Sequence, residues 1–176
     1  MPIVKVKKYV PKPLQVNLLG EPECRDREAE ELILMAARAT YAAFDYPFKA
    51  SVDITLVSDD EIRGINRDHR EIDRVTDVLS FPMNDFMEGE APEDVQFDID
   101  PETGRLPLGD MIISVETARA QGAEFGHGFE RECAYLTTHS MLHLLGYDHL
   151  DEGEMKRQMR AREEAIAATI EGMSRD

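Results

Sequence analysis

A chain of 176 residues is long enough for one domain with a real core, and a net charge of −16 argues, on its face, against a polyanionic partner. Its two cysteines, Cys24 and Cys133, stand far apart with no CxxC pairing, which argues against a disulfide framework and a cysteine-built zinc site. No charged-then-apolar leader opens the chain and no apolar run approaches the ~20 residues that cross a bilayer, so a soluble, cytoplasmic protein without a membrane partner is expected.

Residues 3–9 and 14–19 read as strands, broken by Pro11 and Pro13. From 27 to 45, Ala29, Leu32, Ile33, Ala36, Ala39, Ala43 and Phe44 share one stripe, which predicts an amphipathic helix closed by Pro47. Val52, Ile54 and Leu56 alternate with Asp53 and Thr55, the pattern of a half-buried strand. Ser58-Asp-Asp-Glu61 is a capping box and opens a helix over 59–70. Arg63, Arg67 and Arg70 fall on one face of that helix, with Arg74 just beyond, and Lys5, Lys7, Lys8 and Lys12 gather at the N-terminus. Taken alone, such runs are the pattern of solvated faces. Residues 75–81 and 108–115 read as further strands. Between them, residues 85–104 carry eight acids and no base, which reads as a mobile surface loop. A helix is expected over 128–145, with Cys133 in its apolar part as a core residue. Asp151 then caps a last helix whose Met155, Met159, Ile166 and Ile170 face inward. No repeat and no second domain is visible. The class is α+β, a small mixed sheet packed against several helices, in one domain spanning 1–176 with an acidic insertion at about 85–105.

The densest chemistry lies in His139-Ser-Met-Leu-His143-Leu-Leu-Gly146-Tyr-Asp-His149, which places three of the chain's five histidines within eleven residues. Residues four apart share a helix face, so His139 and His143 can turn their imidazoles toward one ion. Gly146 accepts the left-handed conformation that ends a helix, and the returning chain can supply His149. Three neutral imidazoles leave one corner of a tetrahedral zinc for water, so one zinc per chain with an exchangeable, zinc-bound water is expected. Metzincin proteases share this spacing as HExxHxxGxxH, but their glutamate base is replaced here by Ser140, whose hydroxyl is no base near neutral pH. Asp148 reads as a turn former rather than a ligand.

Three blocks in order resemble the YbeY family of bacterial rRNA-maturation endoribonucleases. The family pattern HGxLHLxGYDH stands here as HSMLHLLGYDH, His139 to His149. Asn66 and Arg70 precede Thr76-Asp-Val-Leu-Ser-Phe-Pro82, and LGDIxIS stands as Leu108-Gly-Asp-Met-Ile-Ile-Ser114. The resemblance covers most of residues 50–160. It implies a metal-dependent, single-strand-specific endoribonuclease acting in 16S rRNA 3′-end maturation and ribosome quality control. Ribosomal RNA, the small subunit, a small-subunit protein and the GTPase Era are the implied partners. His139, His143 and His149 become zinc ligands, and Arg70 a phosphate contact whose guanidinium fork matches two oxygens. Ser140 departs from the family glycine, adds a side chain beside the metal and bears on how closely substrate approaches. The acidic loop reads as an insertion of this lineage. A metal-dependent protease, and a ribosome-assembly factor with mainly structural zinc, stay open as alternatives.

Overall fold

In the computed structural model, which describes residues 13–147 and 154–173 (the side chains of 155 and 169–173 excepted), strands and helices alternate as far as β3, after which β4 and three successive helices follow. The order is β1 (Leu14–Leu19), α1 (Arg27–Ala42), β2 (Lys49–Val57), α2 (Asp59–Arg70), β3 (Val78–Pro82), β4 (Arg105–Ser114), α3 (Val115–Phe125), α4 (Phe129–Leu144) and α5 (Glu154–Met173). The expected strand at 3–9, the N-terminal lysines and the Asp151 cap lie outside the described residues, as do the side chains of Met155 and Ile170.

The helix starts follow from their caps. Asp26 accepts from Ala29 N at 2.9 Å at the start of α1. Ser58 Oγ accepts from Glu61 N at 3.2 Å at the start of α2, and Ser114 Oγ from Thr117 N at 3.3 Å at the start of α3. Each satisfies a backbone donor that the first helical turn leaves without a partner.

The sheet runs β1-β2-β4-β3, with β1, β2 and β4 parallel and β3 antiparallel at one edge. This is the mixed α+β architecture that the pattern predicts. Val52, Ile54 and Leu56 of β2 point to one face and meet Ala29, Ile33, Ala37 and Tyr41 of α1 and Leu136, Met141 and Leu144 of α4. In β4 the inward residues are Leu106 and Leu108, then Met111 and Ile113. The alternation slips by one at Gly109, where the register against β2 shifts between Ser51 and Asp53. Gly109 makes this bulge possible: its φ is 145°, and a Cβ there would lie 2.3 Å from Phe81 O. The opposite face is covered by α2, through Ile62 against Val57 and Leu79. Asp59 ties α2 to the β4–α3 junction by accepting from Ser114 Oγ and Thr117 Oγ1, both at 2.6 Å. Cys133 is fully buried in the main core, and burial pushes its thiol up to about 12, so it is inert at neutral pH.

Several boundaries differ from expectation. β3 starts at Val78 instead of 75, because residues 71–76 form a connection tied to α2, with Asn66 Nδ2 donating to Arg74 O at 3.0 Å, and the chain reaches β4 only at Asp77, whose O accepts from Ser114 N at 3.0 Å. α1 ends at Ala42, and Phe44 leaves its stripe to stack on Tyr46 at 5.5 Å. α3 fills a stretch for which the sequence had given no element. The acidic segment is not a loose surface loop. Phe86 is buried, Ala91, Val95 and Ile99 pack against the core, and Asn84 Nδ2 donates to Pro107 O at 2.8 Å. Most of its acids face water and Phe86, Ala91, Val95 and Ile99 face in, while Met87 and Phe97 stay exposed. No helix among the described residues is long and apolar enough to cross a membrane.

Candidate metal centre

α4 is enclosed on most sides. Cys133, Leu136, Met141 and Leu144 face the sheet core, and Leu142 faces a smaller cluster with Ala36, Tyr147, Met159 and Ile166. His139 and His143 stand one turn apart on the remaining stripe. Their rings meet nearly perpendicular, at 81° with centroids 4.6 Å apart, and their Nε2 atoms lie 3.1 Å from one another. Metal–imidazole bonds run about 2.0–2.1 Å, so two such ligands 3.1 Å apart subtend roughly 95–102° at a shared ion. The two imidazoles are thus placed to share a metal ion, though among the described residues no third His, Cys, Asp or Glu completes the set.

The other ring nitrogen of His139 is fixed by a group from a different helix. His139 Nδ1 lies 2.7 Å from Glu163 Oε1 of α5, whose side chain is only 12% exposed. A carboxylate accepts, so Nδ1 carries the proton and the Nε2 lone pair points away, toward His143. Tyr135, one turn earlier on α4, stacks on His139 with centroids 5.8 Å apart. Sequence reading had found neither neighbour. Tyr135 sits at i−4 from His139, a spacing that could have flagged it. Glu163 lies 24 residues away on a helix read only for its core, so nothing local announced it.

The helix ends as the glycine predicts. Tyr147 N donates to Leu142 O at 3.0 Å and Gly146 N to His143 O at 3.1 Å, the paired bonds of a helix closed by a left-handed residue. Gly146 has φ 92°, and a Cβ there would lie 2.3 Å from Phe86 O. The base of the acidic segment clamps this turn, with Gly89 N donating to Leu145 O at 2.8 Å and Glu88 N to Gly146 O at 3.3 Å. Asp148 and His149, the residues that follow, lie outside the described residues.

Ser140 is placed differently from its expected substrate-side position. It is fully buried, and its Oγ lies 2.6 Å from Ser80 Oγ of β3. Being next to His139 in sequence puts it about 100° around the helix, facing the sheet. The serine joins α4 to the edge strand and presents nothing to solvent in this conformation. Arg70 is exposed at the end of α2, on the sheet face opposite α4. Arg63 pairs with Asp73 at 2.9 Å and Arg67 with Asp68 at 3.4 Å, whereas Arg70 makes no ion pair with a described residue. The structure thus joins His139 and His143 directly, and sets Arg70 apart from them across β3.

A second polar group braces the start of α4. Glu132 is 2% exposed and pairs with His127, and the Gln121 amide, with its nitrogen turned toward the two carboxylates, can donate to Glu132 Oε1 at 3.0 Å and to Asp77 Oδ2 at 3.2 Å. Asp77 Oδ1 in turn accepts from Val78 N at 2.7 Å. This network links α3, α4 and β3 around the histidine stripe.

A convergent histidine pair on a buried helix, backed by a carboxylate and followed by a glycine-closed turn, is suited to a metal-dependent hydrolase. The comparisons with known proteins narrow that class. Residues 18–171 match the family described as Endoribonuclease YbeY, and the chain belongs to that family. Endoribonuclease YbeY of Clostridium botulinum (strain Loch Maree / Type A3) is 46% identical over 155 residues, covering 85% of this chain and 90% of that protein. Endoribonuclease YbeY of Clostridium perfringens (strain ATCC 13124) is 52% identical over 124 residues, 68% of this chain and 73% of the relative. In shape the chain is similar to the solution structure of TM1509 from Thermotoga maritima, with a TM-score of 0.59, 25% identity and 92% of each chain covered.

Proposed function

We propose that this chain is a zinc-dependent, single-strand-specific endoribonuclease that acts in the cytoplasm on the 3′ end of 16S rRNA and in ribosome quality control. RNA cleavage follows from the family. The zinc reading is carried by one observation, the convergence of His139 and His143 Nε2 atoms at 3.1 Å with Glu163 behind. His139, His143 and His149 would hold the ion, one per chain. When bound, zinc supplies Lewis acidity toward a phosphoryl oxygen. The protein's part is positional. Glu163 holds the His139 tautomer and ring plane. The Ser140–Ser80 contact fixes the roll of α4 against β3, and the Gly146 turn sets the direction in which the chain leaves toward His149.

Arg70 is proposed as a phosphate contact. It is exposed at the end of α2, and an RNA strand crossing the edge strand β3 would meet α4 on one side and α2 on the other. Guanidinium binds phosphate in two places and would stabilise charge that grows during cleavage. Association with the small subunit, one of its proteins and the GTPase Era rests on family resemblance. The decisive experiment uses an RNA carrying the 3′ end of a small-subunit rRNA precursor, alone and annealed to its complement. Zinc-loaded protein is expected to cut the single strand at a defined bond and leave the duplex intact. Equal cutting of both would remove strand specificity, and peptide cleavage without RNA cleavage would favour the protease alternative.

A further inference from the structure

Beside the histidine pair lies a cleft of about 480 Å³ between α1, α4 and α5. Leu32, Met35, Ala134 and Ala167 give it an apolar lining, and Arg131 and Arg160 stand along it. Tyr135 and Glu163 also line it, and these are the two side chains that touch His139. The cleft therefore adjoins the candidate metal centre, with Tyr135 and Glu163 as the wall the two share. Tyr135 leans on the His139 ring and is still 45% exposed. Three carboxylates on the same walls, Glu130, Glu163 and Glu164, outnumber the two guanidiniums. A rim with no excess of positive charge over an apolar lining suits a flat neutral group better than a phosphate chain. Unpaired nucleobases are such groups, and proteins hold them by stacking on aromatic rings and guanidinium planes.

We propose that Tyr135 is a stacking platform for one unpaired nucleobase of the RNA strand held at the histidine pair, with this cleft as the base pocket. The inference rests on the RNA-cleaving reading above and adds a subsite to it. A base within a duplex has both faces covered and its edge paired, so it cannot enter. Preference for single strands then has a structural source separate from the metal.

The test uses the full-length, zinc-loaded chain and an RNA cut at one mapped bond, with each nucleotide near that bond replaced in turn by an abasic one. Affinity is read by fluorescence anisotropy, cleavage by KM and kcat, and zinc content is measured for every variant. One abasic position is expected to weaken binding by the parent roughly 5- to 100-fold. The same replacement should cost Tyr135→Ala nothing further, because the platform is already gone. Tyr135→Phe keeps the ring and should match the parent, whereas Tyr135→Leu should behave like the alanine variant with unchanged zinc. Parent-like binding by Tyr135→Leu, or equal abasic penalties in parent and Tyr135→Ala, would overturn the platform and leave RNA cleavage standing. A zinc-loaded parent that neither binds nor cuts any RNA would sink both.

Discussion

The hydroxyl of Ser140 is fully buried and lies against that of Ser80, which is partly exposed on the edge strand. Removing the Ser140 hydroxyl leaves Ser80 able to turn to water, so the cost is that of one ordinary hydrogen bond, about 0.5–1.5 kcal/mol. Ser140→Ala is accordingly expected to lower stability by that amount in denaturant unfolding, with zinc content unchanged. Glu163 presents the complementary case. Glu163→Gln keeps the shape but removes the strong acceptor that orients His139, and losing such an outer partner typically weakens metal binding 10- to 100-fold. Competition with a chromophoric chelator would show it, and unaltered zinc affinity would take Glu163 out of the site. At Gly146 the backbone φ of 92° and the contact with Phe86 O leave no room for a methyl group. Gly146→Ala should cost roughly 1–3 kcal/mol of stability from the strained backbone, and more if Phe86 cannot yield.

α5 brings Glu163 to His139, and its hold on the domain is a small cluster in which Met159 and Ile166 meet Ala36, Leu142 and Tyr147. Ile166→Ala should destabilise by about 2–5 kcal/mol. Because α5 carries Glu163, the same change should also weaken zinc binding, a coupling that a purely structural helix would not show. This dependence explains what could be read from the chain and what could not. α2 was legible to the residue because its cap, Ser58, is written into the sequence, and β2 because one side of it is buried and the other is not. The histidine spacing and the glycine turn were legible because both are local to one helix. α3 was missed: its buried residues are few, Val115, Ala118 and Gly122, and leave little apolar stripe to see. The acidic segment misled because its charge is conspicuous while Phe86, Ala91, Val95 and Ile99, which anchor it, are scattered. Ser140 and Glu163 depend on how α4 rolls against β3 and where α5 docks, and tertiary packing alone decides those.

A molecule with net charge −16 must engage RNA through few contacts, since its field as a whole repels the polyanion. Each phosphate neutralised on a single strand adds about 0.7 to the slope of log affinity against log salt. A shallow slope is expected for the parent, and Arg70→Ala should reduce it by about one contact's worth without altering zinc content. Arg70→Lys should restore the slope but only part of the cleavage, since an ammonium keeps the charge and loses the two-point fork. Identical slopes in parent and alanine variant would place Arg70 away from the phosphates.

The most direct test of the histidine pair as the working centre is a zinc titration of chelator-stripped, full-length protein, followed by cleavage of one single-stranded RNA. His143→Ala, prepared side by side, serves as the control. Cleavage by the parent should rise with added zinc and level off at one ion per chain, while His143→Ala should bind zinc weakly and cut no faster than buffer. Full cleavage by the stripped parent, or equal cleavage by His143→Ala, would contradict the account.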